Sequence, residues 1–217
     1  MKLKFWQQRW EQNQIGFHQR EINTHLQQFW QQLALADAST VFVPLCGKSR
    51  DLLWLRAQGH KVLGVEISPI ACAALFEENG LQPDIEQQGP FQRFEADGLT
   101  VLCGDFFQLS AANPSLIDGV YDRASLIALP PTMRLDYVRH LDAILPDPIR
   151  LLLVTMEYPQ TEMEGPPFSV HEDEVQSLFE GRFNTQLLFQ LDILAENPRF
   201  QQKGLSALQE NVYLLSR

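Results

Sequence analysis

The middle of the chain alternates between short apolar runs and segments with helix-like signals. The runs "TVFVPL" (40–45) and "KVLGVE" (61–66) are each followed by a segment that opens on serine and closes on glycine, "SRDLLWLRAQG" (49–59) and "SPIACAALFEENG" (68–80). Serine favours the N-cap of a helix, and glycine favours the left-handed position just after its end. Strand–helix–strand repeats join parallel strands through crossovers. The sequence therefore predicts an α/β protein with a mostly parallel sheet.

Later segments continue this order. Asp97-Gly98 is a pair typical of a tight hairpin turn, and Ser169 with Glu172 has the spacing of a capping box at the start of a helix. The last two predicted strands have no predicted helix between them, which indicates an antiparallel hairpin at one edge of the sheet. The further predicted strands are "FQRFE" (91–95), "LTVLCGD" (99–105), "DGVYDRASLIAL" (118–129), "IRLLLVTMEY" (149–158), "FNTQLLFQLDIL" (183–194) and "LQENVYLLSR" (208–217), and a further helix is "TMRLDYVRHLDAIL" (132–145).

Two segments lie outside this pattern. Before the first strand, "REINTHLQQFWQQLAL" (20–35) has apolar residues at helical spacing, so residues 1–36 are predicted as an N-terminal helical extension of an α/β core over 37–217. The length of 217 residues suits one domain. The irregular stretch "YPQTEMEGPPF" (158–168) follows a predicted strand, and this position makes it a candidate lid over a ligand.

The composition argues against several classes of protein. A net charge of −10 repels nucleic acid phosphates, and the apolar run from Leu151 to Val154 is far too short to span a bilayer. The N-terminus has no apolar stretch typical of a secretory signal. The cysteines are Cys46, Cys72 and Cys103, and they form neither a C-x-x-C pair nor a disulfide framework. We expect a cytoplasmic protein that uses no metal, nucleic acid or membrane.

The tripeptide Gly47-Lys48-Ser49 resembles the end of a phosphate-binding P-loop. However, Phe42 stands where the first glycine of that motif belongs, and Pro44 removes a backbone donor. A dinucleotide fingerprint needs three glycines, and only Gly47 is present. The second strand ends in Glu66, an acid that can accept both hydroxyls of a ribose. Its structural alternatives are a solvated acid at a strand end and an ion pair with Lys61 or Arg50.

Two later strand ends also carry charged residues. Asp105 follows the third strand of the pattern, where it can accept a hydrogen bond from an adenine amino group or act as a helix N-cap. Asp122 and Arg123 interrupt an apolar strand, and such a pair is costly to bury unless it is an ion pair or serves a function. In sequence order, the chain offers a glycine turn, an acidic residue for ribose, an acidic residue for adenine and a strand that ends in charged residues. This order fits a nucleoside cofactor without phosphate, such as S-adenosylmethionine.

Several motifs resemble the thiopurine S-methyltransferase family, and its bacterial members in particular. The resemblance runs over nearly the whole chain, and the combination of "PLCGKS" with "GPPF" is specific. It implies a class I methyltransferase fold, Rossmann-like, with a mostly parallel seven-stranded sheet, helices on both faces, an antiparallel edge strand and the N-terminal helices capping the cofactor. The segments that carry it are "FWQQRWEQNQIGFHQ" (5–19), "VPLCGKSRDLLWL" (43–55), "GVEIS" (64–68), "YDRASLIALPP" (121–131) and "EGPPFSV" (164–170).

The resemblance also implies an activity and a set of site residues. The activity is transfer of the S-adenosylmethionine methyl group to aromatic or heterocyclic thiols such as thiopurines, with selenium and tellurium species as further acceptors. The cofactor contacts fall on Trp10, Leu45, Glu66 and Arg123, to which position adds Asp105. Phe17 and Phe168 would line the acceptor pocket. No residue is assigned as a general acid or base, because an ionised thiol needs none.

Two other functions are compatible with the same pattern. One is a nicotinamide-dependent (NAD) oxidoreductase on a similar sheet, against which the missing glycines argue. The other is a non-catalytic binding module that keeps the methyltransferase fold. Whatever the function, we expect the protein to be a monomer, and for the methyltransferase we expect a small-molecule thiol as its substrate.

Overall fold

A computed structural model describes residues 3–110 and 117–217. Contacts divide the chain into two compact units, residues 1–121 and 122–217. The helices are α1 (Leu3–Glu11), α2 (Thr24–Phe29), α3 (Asp51–Ala57), α4 (Pro69–Glu77), α5 (Ser125–Ala128), α6 (Pro131–Ile144), α7 (Glu172–Phe179) and α8 (Pro198–Gln202). The strands are β1 (Thr40–Val43), β2 (Lys61–Glu66), β3 (Asp84–Gln88), β4 (Phe91–Ala96), β5 (Leu99–Cys103), β6 (Gly119–Asp122), β7 (Arg150–Glu157), β8 (Asn184–Asp192) and β9 (Gln209–Ser216).

The sheet of the first unit has the strand order β3-β4-β5-β2-β1-β6. Strand β1 pairs in parallel with β2 on one side and with β6 on the other, and β2 pairs in parallel with β5. The chain therefore passes from β1 to β2 and β5 and then returns to the opposite side of β1. Ligands of open α/β sheets bind outside the carboxyl ends of the strands at such a reversal.

Residues at the start of α4 and just after the end of α3 explain where these two helices begin and end. The Ser68 hydroxyl accepts a hydrogen bond of 3.3 Å from the N–H of Ala71, and Pro69 occupies the first turn of α4, as predicted. Gly59 follows the end of α3 with a φ of +90°, which confirms its predicted role. Helix α3 leads directly to the parallel strand β2, whereas α4 leads through the antiparallel strands β3 and β4 to the parallel strand β5.

The second helix of the chain is tied to the sheet by a buried carboxylate. Asp51, at the start of α3, is 2% exposed. Its Oδ1 accepts a hydrogen bond of 2.8 Å from the N–H of Asn23, and its Oδ2 accepts one of 3.1 Å from the hydroxyl of Tyr121 on β6. Asn23 also caps α2 through a bond of 3.1 Å from the N–H of Leu26. One side chain thus connects α2, α3 and β6.

The second unit contains the antiparallel strands β7, β9 and β8, in that order. The predicted antiparallel pairing of the last two strands is confirmed. The short helix α8 lies between them in sequence, although no helix was predicted there, since only five residues after Asn197 are helical. Over residues 3–110 and 117–217, no helix is long and apolar enough to cross a membrane.

Four local predictions were wrong. The N-cap position of α3 is Arg50 rather than Ser49, although the Ser49 hydroxyl accepts the N–H of Asp51 at 3.2 Å. The strand predicted to continue to Leu129 ends at Asp122, because the Asp122 carboxylate accepts the N–H of Ser125 and starts α5. The N-cap position of α7 is His171 rather than Ser169. Strand β3 was not predicted, because four of its five residues are exposed and it shows no apolar alternation. With its partner β4 it extends the predicted seven-stranded core to nine strands among the described residues.

Candidate active site

The turn that follows β1 lies at the strand reversal of the first unit. Leu45 and Gly47 both have left-handed backbone conformations, with φ of +45° and +55°. For a leucine this conformation costs about 1 kcal/mol, and such strain is concentrated at functional sites. The N–H of Cys46 donates a bond of 3.0 Å to the carbonyl of Val65, which attaches the turn to β2. Gly64 makes this approach possible, because a Cβ there would stand 2.7 Å from the Cys46 sulfur.

Glu66 lies at the end of β2 and is 6% exposed. Its Oε2 accepts a hydrogen bond of 2.9 Å from the N–H of Gly47, and its Oε1 accepts one of 2.8 Å from the N–H of Ser68. Each carboxylate oxygen has two lone pairs, so each can accept one further hydrogen bond. Burial raises the pKa of Glu66 to about 6, and hydrogen bonds from the backbone N–H groups of Ser68, Gly47 and Ile67 partly offset this rise.

The ion-pair alternative for Glu66 is not realised. Within residues 3–110 and 117–217, the Glu66 carboxylate forms no salt bridge, and Arg50 donates instead to the carbonyl of Arg20 at 3.1 Å. The nearby Lys48 pairs with Glu78 at 2.6 Å. A buried carboxylate without a cation, held only by backbone N–H groups, is positioned to accept hydrogen bonds from a neutral ligand.

An aromatic cluster stands against the glycine turn. The Trp10 side chain of α1 is 7% exposed, and its Cζ2 lies 3.4 Å from the point where a Cβ on Gly47 would stand. Phe17 meets Trp10 edge to face with 5.5 Å between ring centroids, and it contacts Trp6 in the same way. Phe17 is 40% exposed, so its ring is available to a ligand. The structure thus brings Trp10, Gly47 and Glu66 together, with Phe17 beside them.

Asp105 lies next to this group through the strand pairing. The N–H of Gly104 donates a bond of 2.9 Å to the carbonyl of Glu66. One oxygen of Asp105 accepts the N–H of Phe107 at 3.1 Å, so this carboxylate is an N-cap, as its structural alternative supposed. The other carboxylate oxygen of Asp105 accepts no hydrogen bond from the described residues. The contact between Asp105 and adenine stays a prediction. Phe106 is 2% exposed and belongs to the core.

Asp122 and Arg123, in the second unit, do not form the ion pair that was one of their alternatives. Asp122 is 1% exposed and accepts bonds from the hydroxyl of Tyr137 at 2.6 Å and from the N–H of Ser125 at 3.0 Å. Burial raises the pKa of Asp122, and these bonds oppose the rise. Arg123 is half-buried and makes no hydrogen bond or ion pair with any residue that the structure describes. Its guanidinium is therefore available to an anionic or polar ligand group.

Phe168, also in the second unit, lies on a well-connected loop. Its N–H donates a bond of 2.7 Å to the carbonyl of Ile127 in α5. A Cβ on Gly165 would stand 2.5 Å from the Phe168 ring, so the ring covers the backbone of this glycine. The hydroxyl of Tyr158 donates to the carbonyl of Pro167 at 2.6 Å. The segment predicted as a lid is thus held by its own hydrogen bonds.

Sequence reasoning missed the residues that hold these groups in place. Tyr137 and Arg134 are fully buried polar side chains three residues apart in α6, a spacing that places them on one face of the helix. Their signal in the sequence is weak, because an arginine and a tyrosine in "MRLDYV" are usually read as solvent-facing residues. The three Cys residues are free thiols, and the described residues contain no cluster of three or more ligands that suits a metal ion.

These features define a class of protein. Solved structures with the same fold include a SAM-dependent methyltransferase from Anabaena variabilis, with a TM-score of 0.67 and 12% identity over 99% of this chain and 94% of that one. Another is the 1,6-didemethyltoxoflavin-N1-methyltransferase of Burkholderia thailandensis, solved with S-adenosylhomocysteine, with a TM-score of 0.65 and 15% identity over 99% and 86% of the two chains. The fold is that of the class I methyltransferases, as predicted.

The family follows from closer relatives. The model of the family Thiopurine S-methyltransferase matches residues 1–217. The chain is 54% identical to the thiopurine S-methyltransferase of Nitrosospira multiformis over 99% of this chain and 98% of that protein, and 48% identical to the one from Pseudomonas putida over the full length of both. The chain therefore belongs to the thiopurine S-methyltransferase family. It is an S-adenosylmethionine-dependent methyltransferase, which confirms the predicted enzyme class and cofactor.

The first unit fits this cofactor on structural grounds. The Glu66 carboxylate is buried but keeps unused lone pairs, as a pair of ribose hydroxyls requires. Gly47 presents backbone without a side chain, and the Trp10 indole lies directly beside it. An aromatic face attracts a sulfonium cation. Because Gly47 has no side chain, a ligand can approach the backbone of the turn. Together, Glu66, Gly47 and Trp10 therefore suit a nucleoside that carries a positively charged substituent.

Proposed function

We propose that the chain transfers a methyl group to the sulfur of small aromatic or heterocyclic thiols, thiopurines among them. The observation that carries the proposal is the buried, cation-free carboxylate of Glu66, bonded to the glycine turn that Trp10 covers. Family membership supplies the acceptor class, because the named relatives are thiopurine S-methyltransferases. Selenium and tellurium species are further proposed acceptors, since they are soft nucleophiles like thiolates.

We assign the cofactor side to Trp10, Leu45, Glu66, Asp105 and Arg123. Glu66 accepts the ribose hydroxyls, Leu45 packs at the turn, and Asp105 accepts from adenine through its second carboxylate oxygen. When bound, S-adenosylmethionine supplies an electrophilic methyl group whose departure leaves a neutral thioether. No acid is needed at that position. Trp10 faces the cation, and its burial excludes water from it.

We assign the acceptor side to Phe17 and Phe168, with Arg123 favouring the thiolate form. The acceptor loses its proton to water, its sulfur forms a bond to the methyl carbon, and the bond from the cofactor sulfur to that carbon breaks. Because the thiolate is a strong nucleophile, catalysis rests on positioning and on excluding water rather than on a general base. The unpaired guanidinium of Arg123 supports this role, since a cation lowers the pKa of a nearby thiol.

A methyl-transfer assay tests the proposal. The purified chain is incubated with radiolabelled S-adenosylmethionine and a panel of aromatic thiols, thiopurines, aliphatic thiols, selenite and tellurite. We expect label in the aromatic and heterocyclic thiols and less in the aliphatic ones. If the chain binds S-adenosylhomocysteine in calorimetry but labels no member of the panel, the acceptor class is wrong. Thermal shifts with NAD in place of the cofactor test the oxidoreductase alternative.

The other properties stay predictions. We expect a monomer in the cytoplasm that acts on small molecules and not on nucleic acid, because the chain carries ten net negative charges. Light scattering of the purified chain measures the first of these directly.

A further inference from the structure

Arg134 is a fully buried arginine that the proposed chemistry does not use. It lies in the first turn of α6 with 0% exposure and is the largest fully buried side chain among the residues that the structure describes. A buried guanidinium is unfavourable unless it is paired and its hydrogen-bond donors are satisfied. The partners of this side chain therefore indicate why the second unit keeps a charge in its core.

The partners of Arg134 come from three different segments of the second unit. Its Nε donates to the carbonyls of Leu126 and Leu129 at 3.2 and 3.1 Å, which fixes the end of α5. Its Nη1 is within 2.7 and 2.6 Å of the two carboxylate oxygens of Glu174 in α7. Its Nη2 donates to the carbonyl of Ser169 at 3.0 Å. The guanidinium is suited to such a junction, because its donors point in fixed directions within one plane.

The contact with Ser169 places this junction next to Phe168. The N–H of Phe168 donates to the carbonyl of Ile127, which lies between Leu126 and Leu129 in sequence. The segment 168–169 is therefore attached to α5 twice, once directly and once through Arg134. Ser169 itself is 3% exposed, and its hydroxyl accepts the N–H of Tyr158 at 2.9 Å. These bonds leave the backbone on which the Phe168 ring stands little freedom to move.

We propose that Arg134 is a positioning residue for the methyl acceptor: it fixes the backbone of Phe168 and Ser169 against α5. The inference rests on the proposed function, which gives Phe168 a place beside the acceptor. A lysine at position 134 keeps the positive charge but cannot reach three carbonyls and a carboxylate at once, since it has one nitrogen. The variant Arg134→Lys should loosen the segment 168–169 without removing the charge from the core.

Two measurements on the full chain test the proposal. The first is hydrogen exchange of peptides that contain the Phe168 and Ser169 amides. In Arg134→Lys we expect exchange in these peptides to be about 10-fold faster, with wild-type exchange in peptides from β1 and β2. The second is the kinetics of methyl transfer to an aromatic thiol, for which we expect KM for the thiol to rise about 5- to 10-fold, while the Kd for S-adenosylhomocysteine changes less than about twofold.

A control variant shows whether the effect is specific to Arg134 or follows from weakening any arginine ion pair in this unit. Arg182 pairs with Asp142 at 3.2 Å in the same unit, away from Phe168 in sequence, and Arg182→Lys should leave the exchange and the KM unchanged. If Arg134→Lys does not fold, Glu174→Gln keeps Arg134 and its carbonyl bonds while removing the charged partner, and it should give a smaller change in the same direction.

Each outcome decides a separate point. Wild-type exchange at residues 168–169 in both the Arg134 and the Glu174 variant overturns the proposal. Faster exchange with an unchanged KM shows that Arg134 holds the loop but does not affect the acceptor, which also overturns it. If the wild-type chain methylates no thiol, the proposed function fails, and the exchange experiment still decides whether Arg134 holds the segment.

Discussion

The N–H of Gly47 donates a hydrogen bond of 2.9 Å to the Glu66 carboxylate, nineteen residues further along the chain. This bond connects the turn after β1 to the end of β2, and the second oxygen of the same carboxylate receives the N–H of Ser68 at the start of α4. Glu66 therefore shapes the turn after β1 as well as offering lone pairs to a ligand. The two roles can be separated by choosing the substitution.

Replacing Glu66 with alanine or with glutamine should weaken cofactor binding in both cases, but the two variants should differ in stability. Glu66→Ala leaves two buried N–H groups unpaired, at a cost of about 1–3 kcal/mol each in the free energy of unfolding. Glu66→Gln keeps an acceptor for one of them, so it should be more stable than Glu66→Ala while still raising the Kd for S-adenosylhomocysteine about 10-fold or more. Calorimetry and urea unfolding measure both quantities. The control Glu86→Gln, at an exposed acid on β3, should bind like the wild type; equal affinity in Glu66→Gln would contradict the ribose assignment.

The raised pKa of Glu66 should make stability depend on pH. The pKa is about 6 in the folded chain against an ordinary 4.5, so the folded state favours the protonated acid. The resulting contribution to the free energy of unfolding is fully present below pH 4.5 and is lost as the pH rises through 6. It amounts to about 2 kcal/mol for this shift. Unfolding of the wild type and of Glu66→Gln from pH 4 to pH 7 should show this difference, and parallel pH profiles would rule it out.

Gly47 should be sensitive to a methyl group for a reason that Gly89 does not share. Both glycines have left-handed backbones, with φ of +55° and +57°, but a Cβ on Gly47 reaches within 3.4 Å of Trp10, whereas one on Gly89 meets nothing within 4 Å. Both alanine variants should lose about 1–2 kcal/mol of stability from the backbone conformation. Only Gly47→Ala should also raise the Kd for S-adenosylhomocysteine, by about 10-fold. Similar Kd values for the two variants would show that the Trp10 contact is not part of the site.

Removal of the Arg123 guanidinium should affect activity and not folding. Since Arg123 has no polar partner among the described residues, Arg123→Gln should change the free energy of unfolding by less than about 0.5 kcal/mol. We expect its kcat/KM for an aromatic thiol to fall at least about 10-fold. Arg93→Gln, which removes a surface arginine paired with Glu86 at 3.1 Å, is the matched control and should keep full activity. Wild-type kinetics in Arg123→Gln would exclude a role for this cation.

The residues whose place in the fold the sequence predicted correctly depend on local order. Glu66 ends β2, Ser68 caps α4, and Gly47 lies in the turn between β1 and α3, so the alternating pattern fixes their place at one edge of the sheet. Ser169 was assigned to the wrong role because a capping box and a tertiary hydrogen bond use the same hydroxyl.

The residues that the sequence did not reveal act over long separations. Arg134 meets Ser169 and Glu174 across 35 and 40 residues, and Tyr121 meets Asp51 across 70. Such contacts depend on how the elements pack, and no periodicity within a single helix or strand records them. Nothing in the local sequence distinguishes a buried arginine from an exposed one. The burial of Arg134 therefore becomes visible only in the folded structure.

The shared bonds of Asp51 have a consequence for the order in which the chain folds. Its carboxylate holds the start of α2 through Asn23 and is itself held by Tyr121, so α2 lacks this complete anchor until β6 has been made. Contacts between distant residues form late, because a long loop must close first. Ribosome-bound chains that stop before residue 121 should therefore leave α2 open to proteases, and chains released after β6 should protect it.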